Sequence, residues 1–296
     1  TTDLAGQLGP TEDQGTSGWC YAFTAADMLT QRFKIELSGK RVSPSYLAVF
    51  GNYLMLRDEI TDGGFVGVAA NLSQEFGLCT EDKIEKQFTS EYPLPYIVSG
   101  FRDMQYTIKE KPTYEKQIAK IASFKDQGYL PLSLTNEEIL DIMLHSNKKK
   151  LAVEMFFRMC TGHLFFPRVH VRLKGNALVM SAKRIFGVDL VELIYGKKAR
   201  KKMINESLQK GQIIGLTYLD KFLKNEPENK IDSHASTIVG QLWNPETKQC
   251  EYHIRNSWGT SCESYPKYIR DRCANGQFWI SEDLLNKKAL GLYYLE

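Results

Sequence analysis

A chain of 296 residues, 43% hydrophobic and 25% charged, has the composition of an ordinary globular protein, built as one large domain or as two lobes, and excludes disorder as its default state. Its 38 basic and 35 acidic groups leave a net charge of +3, too weak a field to imply nucleic acid or a membrane surface as partner. No apolar run reaches the roughly 18 residues of a membrane span, and the opening TTDLAGQLGP lacks the charged-then-apolar layout of a signal peptide.

In chain order, the first predicted element is a helix starting near Cys20. The stretch YAFTAADMLTQRFKIEL puts Ala22, Ala25, Ala26, Leu29 and Phe33 on one side at helical spacing. Ser43 as N-cap, with Pro44 at the first helical position, starts a second helix. TDGG, Thr61 to Gly64, breaks the pattern, and FVGVAANLSQEFG carries a third helix that Gly77 ends. Residues 1–94 therefore read as a helical lobe.

Residues 95–205 change character and read as a mixed insertion. They hold the basic runs Lys148 to Lys150 and Lys197 to Lys202, which read as solvated faces, and a capping-box pattern, Thr135 and Glu138, ahead of a helix. LFFPRVHVRLKGNALVM alternates apolar and polar residues around Lys174-Gly175-Asn176, as a hairpin would. Residues 206–296 are strand-rich: QIIGLTYL, ASTIVGQLW, CEYHIRNSW, GQFWI and GLYYLE are short and rich in β-branched or aromatic residues, with WNPETKQ as a tight connection. An antiparallel sheet is expected there.

The six cysteines, Cys20, Cys79, Cys160, Cys250, Cys262 and Cys273, would allow three bridges in an oxidising compartment. If Cys20 stays a thiol, pairing is incomplete. Cys262 and Cys273 are best placed for a bridge, with two reduced, buried thiols as the alternative. Cys160, His163 and His170 lack a fourth ligand, and their apolar context reads as the insertion's own core or as an exposed lid. No metal and no organic cofactor is expected.

Cys20 stands where the small, polar DQGTSG stretch gives way to a helix, whose first turn offers a positive dipole end and backbone N–H groups to a thiolate. A buried structural cysteine at a helix start is the alternative. A catalytic thiolate also needs an imidazole and a group that holds the ring. Of five histidines, His145 ends a helix, His163 and His170 belong to the insertion, His253 alternates within a strand, and His234 precedes an apolar strand.

The conjunction QGTSGWCYAF, DGG, SHASTIVG and RNSWGT, in this order, resembles the papain-like cysteine peptidases of the C1 family. The resemblance implies an α+β fold of two lobes, a helical left lobe and an antiparallel β right lobe, with an active-site cleft between them. It implies hydrolysis of peptide bonds through a thioester, with Cys20 as nucleophile, His234 as base and then acid, Asn256 as orienter of the imidazole and Gln14 as oxyanion donor. It also implies that Trp258 covers the Asn–His contact, that the backbone of Gly63 and Gly64 pairs with an extended substrate, and that Ser233 lies among the substrate-binding positions. A peptide or protein is the implied substrate, and a propeptide or protein inhibitor an implied partner.

Three departures matter. His234 and Asn256 lie more than two hundred positions beyond Cys20 where about 130 to 150 is usual, which the middle insertion accounts for. Ser17 replaces the family's second cysteine, and Tyr21 a tryptophan. The cysteine count suits a secreted or periplasmic chain over a cytoplasmic one, whereas SGWC with serine resembles the intracellular bleomycin hydrolase branch. Two other functions fit the same residues: a catalytically silent binder of peptides or proteins, and an acyl transferase directed to an amine.

Overall fold

The computed structural model describes residues 1–56, 63–160, 171–175, 197–224 and 233–295. They form two compact units, a helical one of residues 14–26 and 35–168, and a sheet unit of residues 1–13, 27–34 and 169–296. The helix α1 (Cys20–Arg32) has residues in both ranges. It starts where the sequence predicts: the amides of Ala22 and Phe23 both donate to the carbonyl of Trp19, at 2.8 and 3.2 Å. Its predicted stripe, Ala22, Ala25, Ala26 and Leu29, is buried, as is Phe33 just beyond it.

The helical unit is organised around α2 (Pro44–Leu54), in which every residue from Pro44 to Asn52 is buried. A helix that is apolar on all sides belongs in a core. Ser43 Oγ accepts from the amide of Tyr46 at 2.9 Å and Pro44 fills the first helical position. Helix α3 (Val66–Glu75) stops at Phe76 because Gly77, at φ +74°, takes the left-handed conformation that ends a helix. Four helices follow: α4 (Leu94–Lys109), α5 (Tyr114–Asp126), α6 (Asn136–His145) and α7 (Leu151–Met159).

The capping box of α6 is formed in both directions. Glu138 N donates to Thr135 Oγ1 at 3.1 Å, and Thr135 N donates to Glu138 Oε2 at 2.7 Å. Helix α7 buries Leu151, Ala152, Met155, Phe156 and Met159 and packs on α2, α4 and α6. A disulfide between Cys79 and Cys160 fastens its C-terminal end to the segment after α3, a pairing the sequence reading does not anticipate.

The sheet unit is one antiparallel sheet with strand order β2-β8-β3-β4-β5-β7-β6 and a short β1 added on β4. The strands are β1 (Thr2–Asp3), β2 (Val171–Gly175), β3 (Ile214–Leu219), β4 (Ser233–Asn244), β5 (Gln249–Arg255), β6 (Cys273–Ala274), β7 (Gln277–Ser281) and β8 (Ala289–Leu295). Helices α8 (Lys197–Gln209), α9 (Lys267–Arg270) and α10 (Glu282–Lys288) accompany it. The connection of β4 to β5 is tight because Asn244 Oδ1 accepts from the amides of Glu246 and Thr247, at 2.9 and 3.3 Å. Strand β2 carries the first half of the predicted hairpin, but its partner is β8; Asn176 and the residues after it lie outside the described residues. The predicted Cys262–Cys273 bridge is formed, and Cys20 and Cys250 stand outside the disulfides. Among the described residues no helix is long and apolar enough to cross a membrane.

Two buried ionisable groups organise these units. In the sheet unit Arg255, 2% exposed, donates to Asp27 Oδ2 at 3.0 Å and to the carbonyls of Gly9 and Pro10 at 2.9 and 2.5 Å. In the helical unit the carboxyl of Glu85 sits at the start of α2, where Oε1 accepts from Ser43 Oγ at 2.7 Å and Ser45 N at 3.2 Å. Burial, with Glu81 nearby, pushes Glu85 up to about 7.

Replacing Arg255 by Met removes the buried guanidinium paired with Asp27 and costs roughly 3–5 kcal/mol in chemical denaturation, whereas Lys267→Ala, which breaks the exposed pair with Asp271, costs under about 0.5 kcal/mol. Glu85 is favoured as the neutral acid, so the stability it contributes is complete below the ordinary carboxyl range and is lost as pH rises through about 7. Glu85→Gln, which keeps the acceptor for Ser43 and Ser45, removes that slope; denaturation midpoints measured across this window that fall equally in both proteins would contradict the assignment.

Candidate active site

Four of the residues singled out in the sequence, Gln14, Cys20, Gly63 and Gly64, lie in the helical unit. Cys20 is the first residue of α1, half-buried, between Trp19 and Tyr21, which are both buried. Its Sγ is 3.9 Å from the carbonyl of Gly18. Tyr21 is fixed by donating from Oη to the carbonyl of Ala48 at 3.2 Å, so the turn carrying the thiol is held by packing on α2.

The loop before Cys20 is closed on itself. Gln14 Nε2 donates to the carbonyl of Ser17 at 2.6 Å and Ser17 Oγ donates back to the carbonyl of Gln14 at 2.7 Å. Ser17, which stands where the papain-like pattern has a cysteine, thus holds the loop by hydrogen bonds. Gly64 has no space for a side chain: a Cβ there would come within 2.5 Å of the Tyr21 ring and 2.6 Å of Met55 Cε. Gly63 lies against the same loop, a Cβ reaching 3.8 Å from the carbonyl of Gly18.

The other four, Ser233, His234, Asn256 and Trp258, lie in the sheet unit. His234 is the second residue of β4, opposite Tyr218 of β3, and Asn256 follows the last residue of β5. His234 Nε2 lies 2.6 Å from Asn256 Oδ1, and both side chains are buried. Since Asn256 Nδ2 donates to Tyr265 Oη at 2.8 Å, Oδ1 is the acceptor and Nε2 carries the proton. The neutral ring therefore keeps its lone pair on Nδ1.

Oδ1 is further fixed by Ser236, whose Oγ donates to it at 3.0 Å and lies 2.8 Å from Tyr218 Oη. With the Ser236 hydrogen committed to Asn256, the Tyr218 hydroxyl donates to Ser236. The donors thus run in one direction, from Tyr218 to Ser236 to Asn256 Oδ1, a directed network in a buried setting. The ring of Trp258 lies 4.8 Å from that of His234 and stacks on Tyr265 at 5.7 Å. Ser233 is exposed at the start of β4, opposite Leu219.

Ser236 has a faint sequence signal, being two positions after His234 and so on the same face of a strand. Tyr218 and Tyr265 have none, because strand pairing and a loop bring them in. Among the described residues no three His, Cys, Asp or Glu gather as a metal would require; Cys160 is in a disulfide, and His163 and His170 lie outside the described residues. A cavity of about 630 Å³ in the sheet unit is lined by Arg200, Met203, Lys210 and Tyr294 among others, and by none of the eight residues above.

Burial drives His234 down to about 4, against the hydrogen bond to Asn256 and the charge of Asp220, which raise it; Lys224, paired to Asp220 at 2.8 Å, lowers it. A proton stays on this ring near neutral pH only if negative charge is placed beside it. In a Cys20→Ala protein the ring protons of His234, followed by NMR, are expected to titrate near about 4. Asn256→Ala and Asp220→Asn should each move that titration lower and Lys224→Gln higher. A ring titrating at the ordinary histidine value would contradict the desolvated site.

No family model matches the chain, and no curated protein does. Among solved structures it is similar to the 2.70 Å crystal structure of the Amb a 11 cysteine protease, a major ragweed pollen allergen, in its proform. The TM-score is 0.51 at 13% identity, over 99% of this chain and 58% of that one. This chain thus matches little more than half the length of that protein, and the likeness is one of fold: α+β and papain-like.

Proposed function

We propose that this chain is a cysteine peptidase that hydrolyses peptide bonds through a thioester acyl-enzyme. The observation that carries the reading is the buried hydrogen bond from His234 to Asn256, which commits Nε2 and leaves Nδ1 as the proton acceptor. The papain-like fold and the place of Cys20 at the start of α1 support it.

In this reading Nδ1 of His234 takes the proton of the Cys20 thiol. The imidazolium, unfavourable by burial alone, is stabilised by the thiolate it creates. Sulfur adds to the scissile carbonyl carbon, and Gln14 and the backbone N–H of Cys20 receive the oxyanion. One of the two amide hydrogens of Gln14 goes to Ser17, which fixes the plane of the amide. The imidazolium then protonates the leaving amine, the C–N bond breaks, and His234 activates the water that cleaves the thioester. Asn256 holds the ring through both steps, and Trp258 shields that contact from water. The backbone of Gly63 and Gly64 takes the extended substrate, with Ser233 at its edge.

The partners that follow are a peptide or protein substrate, and a propeptide or protein inhibitor, since the similar structure is a proform. The disulfides Cys79–Cys160 and Cys262–Cys273 fit a secreted or periplasmic setting.

At mildly acidic pH one equivalent of iodoacetamide is expected to modify Cys20 ahead of Cys250, located by peptide mass spectrometry, and to abolish cleavage of internally quenched peptides. Cys20→Ala should be inert, and Gln14→Ala should lose about 10²- to 10³-fold in kcat. Equal, slow labelling of both thiols with no cleavage would sink the reading and leave a binding module. A product conjugated to an added amine in place of free acid would assign acyl transfer.

A further inference from the structure

The loop that leads to Cys20 touches a different neighbour at each end. Its Gly18 end lies against Gly63. At the other end Gly15, at φ +60°, leaves space for Pro93: a Cβ on Gly15 would sit 3.5 Å from Pro93 Cβ and 3.6 Å from its Cγ. Pro93 is the residue before α4, and tyrosines stand on either side of it. Tyr92 and Tyr96 stack with centroids 5.1 Å apart and planes 27° apart, and Tyr129 lies 6.2 Å from Tyr92. These two stacked rings are exposed, Tyr92 to 52% and Tyr96 to 62%.

The backbone that leads into Tyr92 is held by the turn at Gly128. Gly128, at φ +75°, is so close to the strand of chain beneath the tyrosines that a Cβ on it would fall 2.2 Å from Ser90 N and 2.6 Å from the carbonyl carbon of Thr89. Ser90 N donates to the carbonyl of Gly128 at 3.3 Å, and Ser90 Oγ accepts from Tyr92 N at 3.2 Å. Exposed rings that stack on one another are preorganised for binding, since little side-chain freedom remains to be lost. From Phe88 to Phe101 the sequence FTSEYPLPYIVSGF has no lysine or arginine and a single acid, Glu91, so it offers nothing to a phosphate backbone and suits a neutral, apolar side chain.

We infer that Tyr92 and Tyr96, backed by Tyr129, form a subsite for an aromatic or large aliphatic side chain of a peptide substrate. The inference rests on the peptidase reading, which takes the peptide past Cys20, the residue to which the loop beside Pro93 leads. It makes the tyrosines specificity determinants, with no part in the bond-making steps.

The test separates the subsite from the catalysis. The probe is a set of acetylated, amidated octapeptides of alanine and lysine that carry one phenylalanine at successive positions. Their affinities are measured by calorimetry on Cys20→Ala and on the same protein with Tyr92→Ala and Tyr96→Ala. Affinity should peak at certain phenylalanine positions and fall about tenfold or more there in the triple variant, with other positions unchanged. With Cys20 intact, the double tyrosine variant should lose kcat/KM only for peptides whose phenylalanine lies on one side of the cleaved bond, while its thermal transition and rate of Cys20 alkylation stay as in the parent. Equal affinities in the two forms, or no binding by either, overturn the subsite even if the parent cleaves peptides. Position-dependent binding lost in the triple variant, with no cleavage by the parent, keeps the subsite and removes the peptidase reading.

Discussion

The guanidinium of Arg255 is the interaction on which the sheet unit depends. It is almost fully buried, and a buried cation is tolerated only when its donors are met. Its partners come from two stretches of chain: Asp27 on α1, itself bonded to Thr237 of β4 at 3.3 Å, and the adjacent carbonyls of Gly9 and Pro10. One side chain therefore fixes the N-terminal segment and the end of β5 together. The next residue along is Asn256, so the position of the amide that orients His234 is set by a charge pair whose misplacement would strand two ions in the core.

His234 is governed by the same low-dielectric logic. Its ring is held by partners that would stabilise a charge, Asn256 and, at longer range, Asp220, yet burial outweighs them. The outcome is a base whose strength is conditional. It is weak toward bulk protons and gains basicity only beside an anion, which in the proposed peptidase reading is the thiolate of Cys20.

Local features were legible in the sequence because they are settled over a few residues. Ser43 with Pro44, Thr135 with Glu138, and Gly77 each mark a helix end by their own chemistry, and the five strand segments from Gln212 onward are short and rich in β-branched or aromatic residues. The eight candidate site residues stand in the sequence as a motif set, and each falls in a described element or loop. What the sequence did not carry was pairing over distance. The partner of β2 is β8, more than a hundred positions away, and no local pattern distinguishes it from a hairpin mate. Cys79 and Cys160 gave no sign of each other, and Tyr218, Ser236 and Tyr265 converge on Asn256 only after the sheet is built. Tyr92 and Tyr96 are an ordinary pair in the sequence, and only the approach of Gly15 to Pro93 makes them neighbours of the loop before Cys20.

The bond between Cys79 and Cys160 turns the chain from the end of α3 to the end of α7 into a covalent ring. Its exposed connections, such as the one around Lys111 before α5 and the one around Lys148 before α7, lie inside that ring. A backbone cut at either place yields two polypeptides that still travel as a single molecule, and only a reductant lets them part. For a chain read as a peptidase, and so exposed to its own activity, this is tolerance of self-inflicted nicks: damage that a gel would register under reducing conditions need not separate the halves of the molecule.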